Sequence, residues 1–153
     1  MNQKNIYKEL KLDEYLWGDA FEIEIVDQDI STDDNRIVLL DKVCALKNLN
    51  QLGPGWNKIE FDKATDLLLK SLRYDLAYSS AEIAPLEKAA FVQKEIIKDF
   101  DGLSHCYTNW SGGPWGDNTG GTGWDPLTEN TFDLGIVLIN NSKLTFVLHI
   151  SED

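Results

Sequence analysis

"FDLGIVLINNSKLTFVLHI", residues 132–150, decides the fold. From Phe132 to Ile139 apolar side chains fill odd and even positions alike. An extended segment of that kind must be covered on both faces, as a strand in the middle of a sheet is. Asn140, Asn141 and Ser142 supply turn chemistry, and Lys143 to Ile150 is a second run rich in strand formers. The pair predicts a C-terminal hairpin with helices packed over it. Its strongest apolar run, Leu134 to Ile139, is far too short to cross a bilayer.

Upstream, "SHCYTNW" (104–110) predicts a short strand that leads into a glycine-rich loop. "PLEKAAFVQKEIIKDFDG" predicts a helix, with Pro85 in its first turn, an apolar set of Leu86, Ala89, Ala90, Ile96, Ile97 and Phe100, and Gly102 as its stop. "DKATDLLLKSLRYDL", from Asp62, predicts another, with Ala64, Leu68, Leu72 and Leu76 in one stripe and Leu67 beside it. "STDDNRIVLLDKVCALKNLNQLG" opens on capping residues and two acids and gains lysines later, so a helix over roughly residues 34–50 suits the dipole. Its "NRIVLL" could instead pair with the strand before it. "AFEIEIVD" alternates, placing Phe21, Ile23 and Ile25 on one face and Glu22 and Glu24 on an acidic outer one. Residues 4–17 suggest a short helix with Ile6, Leu10, Leu16 and Trp17 on one side. No repeat or linker interrupts the chain. The expected fold is α+β, a single domain over residues 1–153 with helices on a mostly antiparallel sheet.

Fourteen basic against 26 acidic residues give a net charge of −12. The excess is uneven: residues 101–153 hold one base and seven acids, and nine acids with no base lie between Lys11 and Arg36. Such a field repels nucleic acid and anionic membrane and attracts cationic partners, although solubility alone also favours acidic chains. The N-terminal residues show no secretory signal, so the expected compartment is the cytoplasm. Cys44 and Cys106 form no CxxC or Cys/His cluster and read as reduced, partly buried thiols.

Enzyme signatures are sparse. His105 and Cys106 are adjacent on a strand, so they point to opposite faces and cannot pair as base and nucleophile. There is no phosphate loop, dinucleotide fingerprint or zinc-protease motif. Asp125, Glu129 and Asp133 could form a carboxylate pair for glycosidic chemistry, and "DNTGG" with Asp125 and Glu129 could offer oxygen ligands to calcium. The latter lacks the alternating order of a calcium-binding loop. The expectation is a non-enzymatic protein without metal or cofactor.

The remaining signal is "NWSGGPWGDNTGGTGWDP" (109–126), with three of the chain's five tryptophans and six of its eleven glycines. Glycine and proline disfavour helix and long strand here, while disordered segments are poor in aromatics. The rings could fold inward, or could stack on sugars. They could also anchor a protein interface, where Trp is favoured and flexible glycines let a loop conform to a concave partner. The interface reading assigns partner contacts to Trp110, Trp115, Asp117, Asn118, Asp125 and Glu129, with Glu22 and Glu24 adding negative field. It expects Trp115 as an exposed anchor and Trp124 packed on the sheet. An acidic loop of this type suits a basic nuclease site as a mimic of phosphate and base.

"GTGWDPLTENTFDLGIVLINNSKLTFVLHISED", preceded by "LGPGWNKIEFDKATDLLLKSLRYDLAYSS", resembles bacterial immunity proteins of contact-dependent inhibition and related polymorphic-toxin systems. The resemblance runs from about Leu52 to the C-terminus, and its "GPGW" turn and "W-x-P-x-T-x-x-T-F-D-x-G" motif are not catalytic. It implies a cytoplasmic binder that neutralises one cognate toxin C-terminal domain, often a nuclease, with no nucleic acid or membrane as ligand. An acidic interaction module or nucleic-acid mimic outside toxin systems, and a carbohydrate-binding domain, are the alternatives.

Overall fold

The computed structural model describes residues 2–15, 17–115 and 123–152. The C-terminal hairpin forms as expected, from β5 (Phe132–Ile139) and β6 (Lys143–Ser151), paired from Phe132 opposite Ser151 to Ile139 opposite Leu144. Around it stand β1 (Gln3–Asn5), β2 (Gly18–Glu24), β3 (Asn57–Ile59) and β4 (His105–Thr108). They complete a six-stranded sheet of order β1-β2-β6-β5-β4-β3, antiparallel at every pairing.

Both faces are covered. Helix α2 (Asp33–Leu46) lies on one, where Leu39, Leu40, Val43 and Cys44 meet Phe21, Ile23, Val137, Ile139, Leu144 and Phe146. Helices α3 (Phe61–Arg73) and α4 (Leu86–Ile97) cover the other, packing Leu68, Leu72, Ala89 and Ile96 on Ala20, Cys106, Leu134, Ile136, Leu138 and Val147. The two-sided apolar character of β5 therefore has a direct cause: successive side chains enter different cores. Cys44 and Cys106 are free thiols in opposite layers, each pushed up to about 12, mainly by burial.

Helix α2 starts at Thr32, whose side chain accepts a bond from the Asn35 N–H, so "NRIVLL" is helical and not a strand. It stops at Leu46, short of the expected residue 50, because Asn48 turns left-handed at φ +57° and the Leu49 N–H returns to the Cys44 carbonyl. A polar clamp fixes this helix to the sheet. Arg36 donates to the Tyr107 hydroxyl (2.9 Å), the Ile30 carbonyl (2.7 Å) and Asp33 (2.8 Å). Hydrogen bonds from Tyr107 and Arg36 hold the Asp33 carboxyl well below the usual carboxylate range.

The N-terminal segment corrects the expected helix over 4–17. Residues 3–5 pair with β2 instead, helix α1 spans only Ile6–Glu9, and Lys11 at φ +53° ends it before a 3-10 turn at Leu12–Glu14. Leu12 is fully buried, whereas Trp17 stands 63% exposed. In α4 the expected apolar Leu86 is exposed and Val92 is buried in its place. The "GPGW" turn is a 3-10 turn at Gly53–Gly55 that delivers buried Trp56 to the edge of the Phe146 ring.

Candidate functional site

The chain leaves β4 at Asn109 and returns to β5 through a fastened base. Asn109 lies wholly buried, and its side chain donates to the Asp133 carboxylate (2.8 Å) while accepting from the Gly135 N–H (2.8 Å). Asp133 also accepts from the Leu127 N–H (3.1 Å), the Thr128 N–H (2.9 Å) and the Thr128 hydroxyl (2.8 Å). A carboxylate so enclosed is a fastening for the loop's return. Glu129, weighed with it as a carboxylate pair, stands in different surroundings and is exposed. Leu127 then fills the space over Gly135, where a Cβ would come within 2.7 Å of its Cδ1.

The tryptophans divide differently from expectation. Trp110 is 6% exposed, donates from Nε1 to the Asp133 carbonyl (2.7 Å) and stacks on Trp124 at 4.4 Å. It is a core residue and not an exposed anchor, which corrects its assignment to the interface. Trp124 is half-buried between Trp110 and Phe132, packed as expected. Trp115, expected as an exposed anchor, is half-buried: its Nε1 donates to the Asp75 carbonyl (3.2 Å) and its ring lies over His149 at 6.2 Å. The rings find apolar neighbours within reach, and burial of so much aromatic surface outweighs the freedom that the glycines supply. A three-ring platform for sugars is not formed. Backbone bonds from Ser111 to Gly123 (2.8 Å) and from Asp125 to Asn109 (3.0 Å) close the base of the loop. Asp117 and Asn118 lie outside the described residues.

Of the acidic site residues, Asp125 is exposed, with its carboxylate against Gly55. Glu22 and Glu24 are not neighbours of the loop. They end β2 opposite Thr145 and Lys143, whereas the loop joins the sheet where Phe132 faces Ser151. Glu22 is largely covered and bonded to Lys143 Nζ (2.9 Å), which also holds Asp99 (2.7 Å). It is half of a local ion pair, not part of an open acidic face. Alternation marks both glutamates as outward, which holds for the exposed Glu24, but it cannot register the lysine from the next strand that covers Glu22.

The loop end of the sheet gathers other residues that the sequence did not single out. Tyr7, Asp13, Glu14, Tyr15, Trp17 and Asp75 line a cleft of about 480 Å³, closed by His149 and the end of β6. No lysine or arginine is among the lining side chains. Asp75 accepts from the Ser151 hydroxyl (3.1 Å), and Glu152 takes the Thr131 hydroxyl. His149 is 2% exposed, its Nδ1 has no hydrogen-bond partner, and burial lowers its pKa to about 4 against a weaker opposing pull from Asp75. One sequence signal pointed here: Asp13 and Glu14 open the base-free acidic stretch. Trp17 was hidden by its apparent place on a helix face.

Among the described residues no helix is long and apolar enough to cross a membrane, and no three His, Cys, Asp or Glu side chains gather as a metal site. Compared with protein-family models, curated proteins and solved structures, the chain has no significant match.

Proposed function

We propose that this chain is an immunity protein, which binds and neutralises a basic toxin domain of nuclease type. The observation that carries the reading is the convergence of acids from distant parts of the chain at one end of the sheet. Asp13 and Glu14 come from the N-terminal turn, Asp75 from beyond the end of α3, and Glu152 from the end of the hairpin, and all four border one cleft. None of these four forms an ion pair among the described residues. A cluster of uncompensated carboxylates raises the energy of the free protein, and a basic partner relieves that repulsion on binding. The likeness of the region from Leu52 onward to toxin-immunity proteins points the same way, as do aromatic rings at the rim.

The test is co-expression with basic nuclease-type toxin domains, beginning with any that is encoded directly upstream of this chain's gene. Cells should survive, and the two proteins should co-elute as a stoichiometric complex. Unrelieved toxicity, or turnover of nucleic acid or glycoside by the purified chain that Glu129→Gln abolishes, would reverse the reading.

A further inference from the structure

We infer that the cleft beside His149 is a socket for a single arginine side chain of the basic partner. The inference rests on the reading above that the partner is a basic protein, and adds which chemistry the cleft recognises.

Three features of the cleft converge on a planar cation. The first is charge: Asp13, Glu14, Asp75 and Glu152 border it with no basic side chain in the lining. The second is the aromatic wall of Tyr7, Tyr15 and Trp17, with Trp17 63% exposed although its backbone is fixed by the Ile150 N–H bonded to its carbonyl. An exposed indole held in place is a costly arrangement for a free protein, and its ring face attracts a cation. The third is His149, which lines the cleft but is 2% exposed beneath the Trp115 ring and lacks a partner at Nδ1, so a donor reaches that atom only as the side chains over it give way. A buried polar atom without a bond is unfavourable, and a neutral imidazole with its proton on Nε2 offers Nδ1 as an acceptor.

Guanidinium satisfies these features together. It presents five N–H donors in one plane, stacks on aromatic faces and stays charged at any physiological pH. A carboxylate or phosphate ligand would meet four acids. A plain apolar side chain would leave the carboxylates desolvated and unpaired. Lysine offers donors but no plane to lie on the indole, so arginine is favoured.

The experiment uses the whole chain and needs no toxin. The peptide acetyl-Gly-Arg-Gly-amide is titrated while the His149 ring and Trp17 indole resonances are followed by NMR, beside the same peptide with citrulline, whose urea is uncharged. The arginine peptide should shift both resonances and saturate in the millimolar range, and the citrulline peptide should leave them in place. The double variant Glu14→Gln, Trp17→Ala changes two surface side chains and should weaken binding at least tenfold with an unchanged amide spectrum elsewhere. Equal shifts with citrulline, no shift with arginine, or tighter binding of free spermidine than of the peptide would each overturn the socket. Toxin neutralised without any response to the arginine peptide sinks the socket and leaves the proposed function standing. Arginine bound with no toxin neutralised does the reverse.

Discussion

At Asp133 four donors meet one buried carboxylate: the Asn109 amide, the Leu127 and Thr128 N–H groups and the Thr128 hydroxyl. Asp133→Asn keeps the shape but turns an amide NH₂ toward groups that donate. Since bonds to a charged acceptor are each worth about 1.5–3 kcal/mol, the variant should lose about 2 kcal/mol or more in urea unfolding. His149 gives the chain a pH dependence of defined sign. Its folded pKa is about 4, below the ordinary 6.5. Between those values the unfolded chain takes up a proton that the folded chain refuses. Stability from this group is therefore complete above pH 6.5 and is lost as pH falls toward 4. The loss between pH 7 and pH 5 should be roughly 2 kcal/mol. His149→Phe should flatten that part of the profile relative to wild type in parallel urea titrations. Neither role was legible in the sequence, where Asp133 was one acid among several and His149 one strand residue. What decides both is the set of neighbours brought by other segments.

Among the elements, α3 and α4 were readable from their helical period, β2 from its alternation, β5 and β6 as apolar runs joined by a turn, and α2 because its first turn carries a cap and acids. The three-residue strands β1 and β3 were not, since no alternation can be recognised over so few positions. The N-terminal helix failed because backbone pairing with β2 outweighs a weak local preference. Gly135, inside β5, had a meaning that only packing supplies: Leu127 from the returning loop occupies its Cβ position, with the Phe146 ring at 3.4 Å. Gly135→Ala should cost about 1–3 kcal/mol by overpacking, because the buried Leu127 has no room to retreat. Adding Leu127→Ala should recover part of that loss, so the double variant should be less destabilised in thermal melts than the sum of the two single ones.

For the molecule as a whole, the net charge of −12 was plain from composition, but its placement was not. Glu22 and Glu24 were counted with the loop and lie at the far end of β2, whereas Asp13 and Glu14, read only as part of an acidic stretch, meet Asp75 beside it. If that end steers a basic partner, the association rate should fall steeply as salt rises. Screening shortens the electrostatic range from about 10 Å at 0.1 M to about 3 Å at 1 M. A rate flat across that interval in stopped-flow mixing would remove the steering. Finally, the bonds that join Ser111 to Gly123 and Asp125 to Asn109, with Trp110 on Trp124 above them, act as a buckle across the loop's base. The sheet is complete on its own side of that buckle. Doubling the length of chain beyond it costs only roughly 0.6 kcal/mol in closure entropy. Length can therefore be added inside the buckle, provided Trp115 keeps its bond to Asp75 and its place over His149. Selection can use that latitude to follow a changing opponent, and an engineer can graft a new epitope there without rebuilding the scaffold.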